Sequence, residues 1–179
     1  MIDLIKEIRY CIEHNQLRVA LGMALTLPDV CGKVEYGDTY KVGERYISWC
    51  DKYLFSNFTL IPKSNNDKCG QKDSEYCYKL RCAYLHSGNS NLNQQEKDNF
   101  PVFELSITTS EDAGIYVNKF PLTKDNTLDL QGSIRIDVRQ LCKEICNAAE
   151  RYYELHDEKE FVDHQFHILD VEKIVYNQV

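Results

Sequence analysis

The chain has 179 residues, of which 43% are hydrophobic and 27% are charged, and its formal net charge is −7. This composition fits one soluble globular domain that buries about two thirds of its surface, and it argues against wholesale disorder. The negative charge argues against a protein that holds long nucleic acids by charge alone. Residues 41–81 nevertheless contain eight basic and five acidic residues. An acidic body with a local basic cleft is therefore compatible with the sequence.

The chain start and the cysteines predict a cytoplasmic protein that is not membrane-bound. The first residues lack the basic region, apolar run and cleavage site of a secretory signal. The most apolar stretch, residues 17–27, contains Arg18 and is shorter than the roughly 20 residues that span a membrane. The eight cysteines form no CxxC pair, and several occupy apolar positions of helical stripes. We therefore expect reduced core thiols.

Apolar residues spaced by three and four predict a series of helices in the first half of the chain. The first is expected to end near His14, and Asn15 is the expected N-cap of the second. Pro28 should end or kink the second helix, although its apolar face could continue to Gly37. The third helix is expected to turn inward Val42, Tyr46, Trp49, Cys50 and Tyr53.

The second half predicts two more helices separated by strands. Asp73 should cap the fourth helix, which lies between polar loops at residues 62–70 and 89–99. After Pro101 the apolar period changes to two, which predicts a small antiparallel sheet at about residues 101–137. A helical stripe then returns, with Val138, Leu141, Cys142, Ile145, Ala149 and Tyr152. The predicted fold is mainly α: a bundle of about five helices with an antiparallel β insertion between the fourth and fifth long helices.

Arg81 and His86 form an Arg-x4-His pair near the end of the predicted fourth helix. A histidine can exchange a proton near neutral pH, and a guanidinium can stabilise the charge on a phosphate in a transition state. Together they could cleave RNA without a metal, with the 2′-hydroxyl as the attacking group. The two side chains point about 140° apart on an ideal helix. A long Arg side chain, a loosened last turn or a symmetric partner helix could bring them together.

The spacing of this pair is a weak signal by itself. Arg9 and His14 repeat it, and so do Arg151 and His156. His86 also has a structural explanation, since a helix dipole favours a cation in the last turn. Convergence of Arg81 and His86 at an open, basic cleft would favour an enzyme, whereas burial of His86 or outward splay of Arg81 would favour a binding module.

The string YCYKLRCAYLHSG at residues 76–88 resembles the motif helix of HEPN-domain proteins, in which Arg and His are separated by four to six residues. The fragments LPDVCG at 27–32 and YISWCDKY at 46–53 resemble a group of bacterial proteins that carry the same later Leu-Arg-Cys-x-x-Leu-His-x-Gly string. The likeness covers about residues 15–90 and the helix at 134–152.

This resemblance implies a homodimeric helical bundle whose motif helices face each other, and often metal-independent RNA cleavage in toxin–antitoxin or phage-defence systems. By position, Arg81 would stabilise the phosphorane and His86 would transfer a proton, with no cofactor or metal. Tyr78, Tyr84 and Lys79 flank the pair and are the candidate substrate-binding residues, because tyrosine rings can stack on bases. The same tyrosines would also suit the seams of a bundle or dimer.

Other interpretations of the sequence stay open. Cys82 departs from the polar residue, commonly Asn, that follows the Arg in many active HEPN proteins. Cys82 and His86 share a helix face and could form a thiolate–imidazole pair, although no orienting third group accompanies them. His164 and His167, with Asp163 and His156 nearby, could ligate a metal, but a solvated acidic tail explains them better. The competing function is a non-catalytic dimeric binding or regulatory module, with an antitoxin or another protein as partner.

Overall fold

The computed structural model describes residues 1–58, 73–87, 102–107 and 133–164. The predicted loops at 62–70 and 89–99 lie outside these ranges. The described elements, in chain order, are α1 (Ile2–Glu13), α2 (Leu17–Ala24), α3 (Leu27–Tyr36), α4 (Val42–Trp49), a π-helical turn (Cys50–Leu54), α5 (Asp73–Ser87), β1 (Val102–Ser106), β2 (Ser133–Asp137), α6 (Val138–Glu154) and a 3-10 helix (Glu158–His164). The predicted mainly helical fold is confirmed. No helix in these parts of the chain is long and apolar enough to cross a membrane.

The apolar faces of the helices meet in one core. The predicted stripe of α6 is confirmed, because every residue named for it is buried. This face contacts α1, α2, α3 and the π-helical turn. In α4, Tyr46 and Trp49 are fully buried as predicted, whereas Val42 is exposed at the start of the helix.

Seven cysteines lie in the described residues, and all are free thiols. Burial of six of them confirms the prediction of core cysteines for this part of the chain: Cys11, Cys31, Cys50, Cys77, Cys142 and Cys146. Cys82 is partly exposed on α5. Cys69 lies outside the described residues.

Asn15 ends α1 and does not cap α2, so the predicted N-cap is wrong. Its φ of 59° is in the left-handed region, which Asn tolerates better than most residues. The backbone N–H of Gln16 donates to the Cys11 carbonyl at 2.8 Å, and that of Asn15 donates to Ile12 at 3.3 Å. This is the Schellman pattern of a helix C-terminus. The left-handed residue turns the chain sharply enough for α2 to begin at Leu17.

Pro28 separates two helices, as predicted. Helix α2 ends at Ala24, and Pro28 occupies the first turn of α3, where its missing N–H breaks no helical hydrogen bond. Helix α3 then ends at Tyr36, and the C-cap residue Gly37 has a φ of 60°, which suits a glycine. The apolar face that continues after Pro28 therefore belongs to a separate helix.

The two strands are parallel, so the predicted antiparallel arrangement is wrong. Val102 pairs with Ser133 and Ser106 pairs with Asp137. Alternation of apolar residues identifies a strand but carries no information about its direction. A parallel pair needs a long crossover, and residues 107–132 separate these strands. The predicted position between α5 and α6 is confirmed, and β2 leads directly into α6.

An ion pair joins α1 to α6 beside the core. Arg9 donates to both carboxylate oxygens of Glu150, at 2.9 and 2.5 Å, and to the Asn147 amide oxygen at 3.2 Å. The hydrogen bonds from Arg9 lower the pKa of Glu150 from its usual 4.5. A lowered carboxyl pKa stabilises the folded state above the unfolded pKa, and this contribution is lost as the pH falls through the folded pKa.

We predict that Glu150→Gln lowers the free energy of unfolding at pH 7 by about 0.5 kcal/mol, since both side chains are about one third exposed and solvent screens the pair. Between pH 5 and 3 the melting temperature should fall less steeply in the variant than in the wild type. Thermal unfolding followed by circular dichroism checks this, with Glu13→Gln as the control. If the melting temperature of Glu150→Gln fell with pH as steeply as that of the wild type, the stabilising role of the Arg9–Glu150 ion pair would be contradicted.

Candidate functional site

One face of helix α5 is buried in the core, and the Arg-x4-His pair lies outside that face. Its buried residues recur at helical spacing: Tyr76, Cys77, Leu80 and Ala83. Through them α5 packs on α4, with further contacts to α2 and the π-helical turn. Arg81 is left partly buried at the edge of this face, and His86 is exposed in the last turn.

Arg81 is anchored to Asp29, which lies in the first turn of α3. Its Nε donates to Asp29 Oδ2 at 2.9 Å, and its Nη2 donates to the same oxygen at 2.8 Å. Both side chains are less than one fifth exposed. The acidic residue also suits the positive end of the α3 dipole. One side of the guanidinium is therefore held by a carboxylate on a neighbouring helix.

The opposite side of the guanidinium reaches His86. Arg81 Nη1 lies 3.4 Å from His86 Nε2, within one chain. The length of the Arg side chain thus overcomes the angular separation of the two residues on the helix. Nε2 can accept from Arg81 when the imidazole carries its proton on Nδ1. The two side chains therefore lie within contact distance of each other, and His86 is exposed.

The charges of the Asp29–Arg81 pair depend on each other. Burial raises the pKa of Asp29, and the hydrogen bonds and positive charge of Arg81 act against that rise. Burial disfavours the charged form of Arg81, but the Asp29 carboxylate outweighs it and raises the pKa of Arg81. Arg81 is consequently a permanent cation. Asp29 Oδ1 is buried and accepts no hydrogen bond within the described parts of the chain.

Arg45 on α4 adds a second cation near Asp29. Its positive charge also opposes the raised pKa of Asp29, and its side chain is 15% exposed. Helices α3 and α4 approach closely here, because a Cβ built on Gly32 would lie 2.9 Å from the Arg45 backbone oxygen. Gly32 therefore sets the spacing of the two helices that carry Asp29 and Arg45.

Sequence reasoning missed the role of Asp29. The residue lies in the LPDVCG fragment that supports the resemblance, but nothing in its local pattern points to Arg81, which is 52 positions away. A charged residue within an apolar stretch is the signal that was present. Buried charges are usually paired, so Asp29 required a cation from elsewhere in the fold.

The three candidate substrate-binding residues lie beside the pair on α5. The Tyr78 ring packs against Gly43 and is centred 5.3 Å from the Tyr46 ring. The Tyr84 hydroxyl donates to the Arg18 carbonyl at 2.7 Å, and its ring contacts Gly22. Both tyrosines thus join α5 to neighbouring helices. Lys79 is partly exposed on the same helix.

Cys82 is engaged with Tyr78. Burial together with a hydrogen bond to Cys82 raises the pKa of Tyr78. The thiol therefore contacts a phenol one helical turn earlier along α5. Cys82 itself is partly exposed and directly follows Arg81 in the sequence.

The other two Arg-x4-His spacings have structural explanations. Arg9 is turned toward α6, while His14 stacks on Tyr10 with ring centroids 3.8 Å apart. Arg151 is exposed, and His156 Nδ1 lies 2.7 Å from the Tyr152 carbonyl oxygen. The contact between Arg81 and His86 distinguishes the middle copy.

Most residues of the alternative metal site lie outside the described parts of the chain. His167 and the side chains of Asp163 and His164 lie outside the described parts of the chain. Among the residues that are described, no group of three or more His, Cys, Asp or Glu side chains could hold a metal ion.

Comparisons of the chain with models of protein families, with curated proteins and with solved structures found no match. The resemblance to HEPN proteins therefore rests on the motif residues quoted above.

We predict that Gly32→Ala destabilises the fold, although alanine is about 1 kcal/mol better than glycine inside a helix. Its Cβ would meet the Arg45 backbone, which cannot rotate away as a side chain can. Gly22→Ala is the matched control, because its Cβ would meet only the Tyr84 ring, at 3.2 Å. Denaturant unfolding should show the larger loss for Gly32→Ala. Equal or greater stability of Gly32→Ala relative to wild type would refute the close approach.

Proposed function

We propose that this chain is a HEPN-like, metal-independent endoribonuclease of a bacterial defence or toxin–antitoxin module, acting as a homodimer. The observation that carries the proposal is the 3.4 Å contact between Arg81 Nη1 and Nε2 of the exposed His86. A phosphate that binds the Nη1 edge would lie within reach of the imidazole. In this proposal Arg81 supplies the cation and His86 the proton acceptor, and both would contact the same phosphate and ribose of the RNA.

The proposed reaction uses these two groups together with the partner's His86. His86 removes the proton from a 2′-hydroxyl, whose oxygen forms a bond to the neighbouring phosphorus while the bond to the 5′-oxygen breaks. Arg81 stabilises the additional negative charge on the phosphorane. The departing 5′-oxygen takes a proton from the second imidazole of the homodimer. The products are a 2′,3′-cyclic phosphate and a 5′-hydroxyl, and no water is consumed.

One observation favours the alternative, a non-catalytic dimeric binding or regulatory module. Asp29 already accepts hydrogen bonds from two nitrogens of Arg81 and balances its charge. An internal ion pair of this kind joins α3 to α5 without any substrate. In that role Arg81 would support the fold, and α5 would serve dimerisation or an antitoxin-like protein partner.

We predict that His86→Ala lowers RNA cleavage in EDTA by about 10²–10⁴-fold, the usual contribution of a general acid or base. Arg81→Ala should lower it by about 10²–10³-fold, as the loss of a donor to a developing oxyanion does. The chain supplies matched controls in the two other spacings, so His14→Ala and Arg151→Ala should cleave like the wild type. Gel analysis should detect a 2′,3′-cyclic phosphate, and a 2′-deoxy residue at the cleaved position should block the reaction.

The outcomes of this experiment separate the two functions. Equal cleavage by the wild type, His86→Ala and Arg81→Ala would assign the activity to a contaminant or another site. No cleavage of several RNAs by any variant, with folding and oligomeric state intact, would favour the binding module.

We predict that Leu85→Glu weakens the homodimer, because Leu85 is 40% exposed and precedes His86 on α5. A charge placed in the seam between facing motif helices is costly to bury. Light scattering should show a shift toward monomer, with a parallel loss of cleavage. Leu155→Glu is the control, since Leu155 follows α6 and is 77% exposed. Unchanged mass for Leu85→Glu would place the dimer interface elsewhere.

A further inference from the structure

We propose that Asp29 is a positioning residue: it fixes the Arg81 guanidinium with its Nη1 edge toward His86, and so raises turnover while weakening the binding of RNA. This inference rests on the proposed ribonuclease function. It assigns the reaction a third residue, one that touches neither the RNA nor the exchanged proton.

The geometry of the guanidinium supports this role. A guanidinium is a rigid planar group with five N–H donors. Nε and Nη2 form one edge of the plane, and both donate to Asp29 Oδ2. Because the plane is rigid, holding that edge also directs Nη1, which lies 3.4 Å from His86 Nε2. The donors left for a phosphate are therefore those next to the histidine.

The carboxylate itself is held by rigid backbone. Asp29 lies in the first turn of α3, between the buried residues Leu27 and Cys31. Its own side chain is only 19% exposed, so few other rotamers are open to it. Anchoring of this kind removes the rotamer freedom of the long Arg side chain before RNA binds.

A purely structural role explains the pair less well. Removing two charges from water is costly, and an apolar pair of similar volume often stabilises a fold equally well. Asp29 Oδ1 is also buried without a hydrogen bond in the described residues, so the carboxylate does not use its full capacity as an acceptor. What the carboxylate provides is the orientation of Arg81.

The negative charge of Asp29 has an opposite effect on binding. A carboxylate 2.8 Å from Arg81 Nη2 repels the phosphates of RNA and offsets the attraction of the guanidinium. A variant without this charge gains affinity for RNA. The same variant loses the orientation of Nη1, so its bound RNA is cleaved more slowly. A residue that only supported the fold would not move these two quantities in opposite directions.

The test uses the full chain and a DNA oligonucleotide that carries one ribonucleotide, at the cleaved position, in EDTA. For Asp29→Asn, kcat should fall about 10–100-fold, by loss of orientation. KM, and the Kd of the non-cleavable all-deoxy analogue, should fall about 2–5-fold, by loss of a repelling charge. Asp29→Glu keeps the charge and should restore the wild-type Kd with only part of kcat. Asp3→Asn, on the exposed side of α1, removes the same charge and should keep the wild-type kcat.

A double-mutant cycle shows whether Asp29 acts through Arg81. In the Arg81→Ala background, Asp29→Asn should cause no further loss of kcat. The Nε–H signal of Arg81, followed by nuclear magnetic resonance, should exchange slowly with water in the wild type and rapidly in Asp29→Ala.

Several results would overturn the inference. They are a wild-type kcat in folded Asp29→Asn, an equal fall of kcat in the Arg81→Ala background, and a rise of Kd together with the fall of kcat. An inactive wild type would instead remove the proposed function, and this role with it. The two failures are distinguishable, because the first three results require a wild type that cleaves RNA.

Discussion

Burial of one face of α6 is the constraint on which the rest of the fold depends. Its apolar residues contact α1, α2 and α3 together, so removing this helix would expose the inner side of all three. Tyr152 illustrates the arrangement at the end of the helix. Its ring packs edge-on against Trp49 and Tyr53, and its hydroxyl donates to Glu35 at 3.1 Å. The core thereby reaches the helices that carry the candidate site.

The site depends on a second contact, between α3 and α4. Gly32 lets the two backbones approach, and α5 packs on α4 with Tyr78 lying over Gly43. Asp29 therefore contacts α5 from helix α3, while Arg81 and His86 both lie on α5. The arrangement of Asp29, Arg81 and His86 therefore does not form from α5 alone. It requires two glycine contacts that set the distances between three helices.

Much of the helical fold could be predicted, because burial imposes a regular period on the sequence. The stripe of α6 and the break at Pro28 depend on local spacing, and both were correct. The predicted antiparallel pairing of the strands is wrong, because apolar and polar residues alternate in the same way in parallel and antiparallel strands. Asn15 was misassigned because the same residue type favours a helix N-cap and a left-handed C-terminal position.

The candidate site shows the same division between local and long-range information. The sequence identified Arg81 and His86 but left their convergence open, since helix geometry alone separates them. Asp29 accepts hydrogen bonds from Nε and Nη2 of the guanidinium, and this contact joins α3 to α5, with α4 between them in the chain. A contact of that range follows from packing, and no spacing within a motif encodes it.

The buried cysteines have a practical consequence for labelling. Burial raises the pKa of the thiols of Cys31, Cys142 and Cys146, so little reactive thiolate forms there. Of the seven cysteines in the described residues, Cys82 is the one with an accessible side chain. It directly follows Arg81 in the sequence. A maleimide fluorophore attached at Cys82 would thus sit beside the guanidinium and report on anything that occupies the adjacent surface.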